Sequence, residues 1–410
     1  MRRTLALSLA LSLSLGLLSG CGPAAPAVQA QELTAQPVSV QPAGSPTVDQ
    51  TLTGFGLSLL QGARSTENGP VLLSPLSAAL ALSMAANGAD GNTLAQFETI
   101  LGGGVPLEEL NAACAQLLSD YENLGGSSSL WTDPEGMIRE DFIGKCQGIF
   151  DAQVFSQDLS APSVVPAVNG WVSEHTNEMI PSILSEPFNE NAALLLVNAL
   201  YLKNTWETEF DPNNTYLRGF YHQGSDKESM DFLNAGFVTF PYLQNETAQG
   251  AVLPYDDGRL AFFALMPEED AEFEVWLNSL DGETFTQLLE SRRDTEFRTL
   301  ALPKFEAEWS GQLQDILSDL GLDLAFTWGA ADFSLLGDNP NGYFLSQVIH
   351  AAKIEVNERG TEAAAATVVE ADSGSGAPPE TGVTLIFDRP FLYGIVDLQT
   401  GVPLFLGTFE

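Results

Sequence analysis

The sequence predicts an α+β fold. Helical and strand patterns are mixed along the chain without strict alternation. Residues 192–202 (AALLLVNALYL) form a continuous apolar run suited to the middle of a sheet covered on both faces, although periodicity alone leaves a buried helix open. The C-terminal stretch IFDRPFLYGIVDLQTGVPLFLGTFE reads as two strands around a turn at residues 397–401.

Taken in order, residues 1–21 read as an export signal. Arg2 and Arg3 supply the charge, residues 4–18 are apolar, and Leu18-Ser19-Gly20-Cys21 closes the segment. That stretch is too short to span a bilayer stably. The closing box resembles the lipobox of bacterial lipoproteins, which implies lipid transfer to Cys21, cleavage before it and a membrane-anchored mature N-terminus. Residues 22–48 are rich in Pro, Ala and Gln, nearly uncharged and without a period, and predict a flexible tether. From residue 49 to 410 apolar periodicity hardly pauses and no repeat or second linker interrupts it, which predicts one domain.

Within that domain Leu52, Phe55, Leu59 and Leu60 fall at helical spacing. Residues 74–88 carry Ser74 as N-cap, Pro75 at the first helical position and Asn87-Gly88 as the stop. This helix is apolar or small on nearly every face and must be buried. Leu94, Phe97 and Leu101 mark the next helix; others are predicted at 107–121, at 164–180, and at 313–320 with Gly321 as the stop. Strands are predicted at 259–266, 295–303 and 348–356. On the last, Val348, His350, Ala352, Ile354 and Val356 share one face, which puts an imidazole on an apolar side.

Composition excludes several functions. The 410 residues carry 54 Asp+Glu against 16 Lys+Arg, a net charge of -38 spread over the whole length, which repels phosphate backbones and anionic membranes. Nucleic acid is therefore not an expected partner. A hydrolase is disfavoured, since no Gly-x-Ser-x-Gly elbow is present and only His175, His222 and His350 could act as base. No His-x-x-x-His or Cys-x-x-Cys spacing points to a metal, and no cofactor is expected. Cys114 and Cys146 could pair outside the cytoplasm or stay as buried, inert thiols.

Four ordered stretches resemble the serpin family, from about residue 51 to residue 410. They are LIFDRPFLYGI at 385–395, NALYLKNTWETEF at 198–210, Ser74-Pro75-Leu76-Ser77, and Leu302-Pro303-Lys304-Phe305. The resemblance implies three β-sheets with about nine helices and an exposed reactive-centre loop. It also implies a polar cluster of Ser74, Ser77, Asn198 and His350, with Trp206, where the main sheet opens. A buried imidazole lacking such partners would cost a few kcal/mol.

Within residues 358–369 (ERGTEAAAATVV) the run Glu-Ala-Ala-Ala-Ala could be read locally as a helix, but so short a stretch holds no helix in water without packing. By the resemblance they are the loop hinge, made of Glu358, Gly360, Thr361, Ala363, Ala364, Ala365 and Ala366. Gly360 frees the backbone, and Thr361 with the alanines is small enough to enter a dense sheet. Residues 370–381 (EADSGSGAPPET) suit an extended exposed loop. Counting from Glu358 puts the reactive bond at Gly374–Ser375, with Ser373 or Ser375 as alternative attacked positions.

The implied function is suicide inhibition of a serine or cysteine protease by a monomer; the protein itself is not an enzyme. Small residues at the bond favour elastase-like or subtilisin-like targets, and Asp372 leaves an aspartate-specific protease open. A non-inhibitory carrier or adhesion lipoprotein is the rival. By the resemblance, the helix that binds sulfated polysaccharides in some serpins corresponds to about residues 107–121; it contains no Lys or Arg, so heparin-type polysaccharide is not an expected partner.

Overall fold

The computed structural model describes residues 30–66, 69–121, 125–222, 227–361 and 382–410. Cys21, Ala363 to Ala366, Gly374 and Ser375 lie outside the described residues.

Among the described residues the first sheet has eight strands, seven of them in the order β1 (Gln31–Leu33), β5 (Gln153–Ser156), β3 (Gly125–Thr132), β6 (Leu194–Tyr201), β16 (Leu345–Val356), β17 (Gly360–Thr361) and β7 (Asn204–Thr205). β14 (Phe305–Gln312) also pairs with β16. The second sheet has ten. Its order is β2 (Leu72–Leu73), β20 (Pro403–Phe409), β19 (Phe391–Asp397), β12 (Leu260–Pro267), β11 (Ala248–Pro254), β10 (Val238–Gln244), β13 (Arg293–Pro303), β9 (Lys227–Ala235) and β8 (Tyr216–Tyr221). β18 (Val383–Ile386) lies parallel to β13. β4 (Met137–Ile138) and β15 (Gly337–Asp338) form the third sheet.

The helices are α1 (Pro46–Thr66), α2 (Pro75–Ala86), α3 (Gly91–Gly102), α4 (Leu107–Asp120), α5 (Glu140–Phe150), α6 (Val164–His175), α7 (Phe273–Leu277), α8 (Gly282–Glu290), and α9 (Gln314–Leu317) continuing into α10 (Asp323–Phe326). Counting the last two as one bent helix gives nine among the described residues. Sheets and helices are mixed as the α+β expectation requires.

The apolar run at 192–202 becomes β6, and its composition has a simple cause. Leu194, Leu196 and Leu200 face the main core with α2, while Leu195, Val197 and Ala199 face a second cluster made with Val168, Trp171 and Val172 of α6. A strand covered on both faces has no solvent side on which to carry polar residues. The only interruption is Asn198. α2 is buried nearly all round; Ser74 caps it by accepting from the Ser77 amide, and Pro75 stands at its start.

Three expectations are corrected. α6 stops at His175 rather than near Ile180, because Asn177 and Glu178 adopt left-handed backbone. Gly321 does not end its helix but lets it bend, at φ 107°, and continue to Phe326. The tether does not extend to residue 48. Residues 31–33 add a strand to the sheet edge, and α1 begins at Pro46. Between them the Ala35 amide donates to Gln147 Oε1 (3.1 Å), that of Val38 to the Gly144 carbonyl (2.8 Å) and that of Ala43 to the Ala112 carbonyl (3.1 Å). Low charge and high Pro content suggested slack chain; its amides instead find partners on α4 and α5. Cys114 and Cys146 are both free and buried, which removes the disulfide alternative, and burial pushes the Cys114 thiol up to about 11.

Candidate functional site

β6 and β16 run parallel and bond directly to each other, in register from Leu194 opposite Leu345 to Tyr201 opposite Lys353. Midway along this seam a row of polar residues crosses the sheet: Ser128 of β3, Asn198 of β6 and His350 of β16 are register neighbours. Ser74 and Ser77 come up from the start of α2. The Ser74 amide donates to His350 Nε2 at 2.9 Å, which requires a lone pair on that nitrogen. The ring proton therefore sits on Nδ1 and donates to Asn198 Oδ1 at 3.2 Å. Ser77 Oγ donates to the same oxygen, and Asn198 Nδ2 donates to Ser128 Oγ at 2.9 Å. Ser74 Oγ donates to the Leu404 carbonyl at 2.7 Å, tying the row to the second sheet.

Every group in this row is buried and answered by another. Burial holds His350 neutral, its pKa lowered to about 3. The His350 to Asn198 bond spans the two strands, so parting them leaves the His350 Nδ1–H unanswered, at about 1–3 kcal/mol, while Asn198 Oδ1 keeps the Ser77 hydroxyl. The resemblance placed Ser74, Ser77, Asn198 and His350 together, and the structure brings them together. Ser128 is a member the sequence reading missed; nothing in its own serine-rich stretch distinguishes it from its neighbours.

Trp206 does not belong to this cluster. The chain leaves β6 at Tyr201 and carries Trp206 onto the hinge instead, where it stacks on Tyr255 (centroids 4.9 Å apart) and donates from Nε1 to the Asn357 carbonyl at 2.9 Å. Its amide donates to the Arg359 carbonyl at 2.7 Å. Glu358 accepts from Lys304 Nζ and from Thr215 Oγ1, each at 2.8 Å. Partial burial raises its pKa, but these donors outweigh that and leave it below the ordinary value.

Beyond Glu358 the chain re-enters the sheet. Gly360 pairs with Thr205, and Thr361 lies between Val356 and Asn204. A Cβ at Gly360 would collide with the Asn204 carbonyl, so the glycine is needed for close approach as well as for backbone freedom. Thr361 is fully buried and donates to Tyr255 Oη at 3.0 Å. Thr361 is thus already seated in the uncleaved sheet, so a bulky residue there would disturb the fold as well as loop entry. Tyr255 and Asn204 are further hinge contacts that the sequence reading did not single out. Asn204 lay inside the quoted stretch 198–210, but only a register could have given it a role.

Residues 50–410 match the family model described as Serpin (serine protease inhibitor). The chain is a serpin. It is 30% identical over 370 residues to intracellular coagulation inhibitor 2 of Tachypleus tridentatus, covering 86% of this chain and 88% of that protein. It is 32% identical over 358 residues to Serpin-ZXA of Oryza sativa subsp. japonica, covering 82% and 89%. The crystal structure of the thermophilic serpin Tengpin in the native state superposes with a TM-score of 0.84 at 31% identity, covering 93% of this chain and 99% of that one. Serpins are protease inhibitors rather than catalysts.

This serpin also carries an ion cluster that the sequence reading did not find. Arg259 donates from Nε to Asp397 Oδ2 (2.7 Å) and from Nη2 to Asp120 Oδ2 (2.9 Å), over the face of Tyr121, whose hydroxyl donates to Asp397 (2.6 Å). Asp397 is fully buried. Asp49 of α1 lies near this group, its pKa raised to about 6 by burial, then by Asp397 and Asp120, with Arg259 opposing. Its members are separated by up to 348 positions in the chain, and no local pattern links them.

Proposed function

We propose that this serpin is a suicide-substrate inhibitor of secreted serine proteases that prefer small residues, displayed on the outer face of a bacterial membrane by lipid on Cys21. A protease of the elastase or subtilisin type attacks the Gly374 carbonyl; its serine oxygen forms the ester while the Ser375 amine departs. The freed loop enters between β6 and β16 as a new strand and carries the acylated protease with it before water can release it. Full strand pairing replaces exposed loop, which supplies the drive.

The observation that carries this reading is the seam. β6 and β16 are parallel neighbours, so an antiparallel strand can enter between them and pair on both sides, and Gly360–Thr361 already stands at its mouth. The small residues 363–366 that follow keep the entering strand thin. The protein acts as a monomer, without heparin-type polysaccharide; α4, at Leu107–Asp120, has no cationic side chain to hold sulfate.

The test is incubation with elastase, subtilisin and trypsin, followed by denaturing electrophoresis and sequencing of the new N-terminus. Denaturant-resistant complexes with the first two and cleavage at 374–375 are expected. Clean cutting with no complex would establish the carrier reading instead, and fast complex formation with trypsin alone would overturn the target class. Thr361→Arg should convert inhibitor to substrate. Because Thr361 is buried beforehand, its melting temperature must be recorded alongside. Cys21→Ser should leave the membrane fraction or fail to be processed; unchanged fractionation refutes the anchor.

A further inference from the structure

The strap from Ala30 to Ser45 fixes where the chain leaves the domain. Gln31–Leu33 pairs with Ser156–Val154. Downstream, the strap backbone presses onto α5 at two glycines one turn apart, where a Cβ at Gly144 would collide with the Gln36 carbonyl and one at Gly148 with that of Val38. Ser45 Oγ closes the attachment on Glu109 at 2.8 Å. Ala30 is thus a fixed exit point.

Strand register says which end of the sheet that exit occupies. Gln31 lies opposite Ser156, Ser156 opposite Thr132, Thr132 opposite Leu194, and Leu194 opposite Leu345, all in one row across the sheet. The loop hinge, with Thr361 opposite Val356, stands at the other end of β16. Eleven residues of strand separate the two rows, about 36 Å at ~3.3 Å per residue. From Cys21 to Ala30 the chain reaches at most about 30 Å.

We propose that the pole of the sheet around Gln31, Leu194 and Leu345 faces the lipid surface, and that the reactive loop is presented away from it. The inference rests on the lipid-anchor reading of Cys21. It has a mechanical consequence. A strand entering antiparallel beside Val356 runs toward Leu345, and the thirteen residues from Thr361 to Gly374 span about 43 Å, past the Leu345 row. The captured protease therefore ends on the membrane side. A protease of about 230 residues has a radius of gyration near ~17 Å and so a diameter of about 45 Å, more than the tether reaches. It is pressed against the bilayer or forces the domain to roll over. Before capture the same pole stands clear of anionic lipid, since Asp133, Glu135, Asp158 and Glu190 line its surface and repulsion acts over about 8–10 Å.

The experiment uses the lipidated full-length chain in phosphatidylcholine vesicles containing a little rhodamine-labelled lipid. Donor dyes are placed singly at Glu190→Cys, on the proposed membrane-facing pole, and at Glu209→Cys, beside the hinge; both residues are exposed. Cys114 and Cys146 are buried and stay unlabelled. Energy transfer to lipid several-fold stronger from position 190 than from 209 is expected. A dye-labelled elastase should gain transfer as its complex forms. Equal transfer from both positions, or stronger transfer from 209, overturns the orientation. Vesicle flotation separates the failures: protein that does not float overturns the anchor and this inference with it. Absence of covalent complexes refutes the inhibitor reading while the ranking of the two dyes still decides the orientation.

Discussion

Acid should open the seam through His350. In the folded protein the imidazole is neutral with a pKa lowered to about 3, against an ordinary value near ~6.5. Because the folded value is depressed, the unfolded chain binds the proton first. The stability that neutral His350 provides is complete above pH ~6.5 and drains away as pH falls from there toward 3. Between pH 7.5 and pH 5 this one group removes about 2 kcal/mol. A proton on Nε2 would also confront the Ser74 amide donor-to-donor at 2.9 Å. His350→Gln keeps one donor and one acceptor but does not titrate. Urea unfolding of both proteins at the two pH values gives the required double difference, which cancels the other titrating groups. Wild type should lose about 2 kcal/mol more than the variant; equal losses would refute the assigned tautomer and the neutral seam.

Asp49→Asn should stabilise the protein above pH 6 by about 1 kcal/mol, after discounting for the solvent that reaches this half-buried group, with the gain fading as pH falls through 6 toward 3.8. A melting-temperature series from pH 4.5 to 8 checks the sign. Gly360→Ala should expel Gly360–Thr361 from the sheet, costing about 1–3 kcal/mol and shifting the emission of Trp206, which stacks beside Tyr255. An unshifted spectrum would contradict the close approach to Asn204. Gly148→Val should dislodge the strap, and the Val38 amide should then exchange hydrogen about 10–100-fold faster.

What the sequence made legible follows from how far apart the cooperating residues lie. The helix at Pro75–Ala86 could be read because its cap, first-position proline and stop are local. The seam residues emerged only through resemblance, since Ser74, Asn198 and His350 are brought together by strand register and by a helix passing beneath. Ser128, Tyr255 and the Arg259 cluster stayed hidden for the same reason, with no resemblance quoted to supply the missing distance. The strap failed for another cause. Composition reports how little apolar surface a segment can bury, but backbone amides bond regardless of side chain, and the receiving surface is two glycines about 110 residues downstream.

The polar row across β6 and β16 makes the sheet behave as a turnstile. Once the strands separate slightly, the Nδ1–H of the imidazole and the backbone edges of both strands lose their partners together, while the gap is still too narrow for water to replace them. Only an arriving backbone restores the bonds. Under the proposed insertion mechanism a half-parted sheet is thus less stable than either a shut or a filled one, and one strand would pass per event. The same ordering of states would keep a neighbour's strand out, because the arrangement that admits one is the least populated of all.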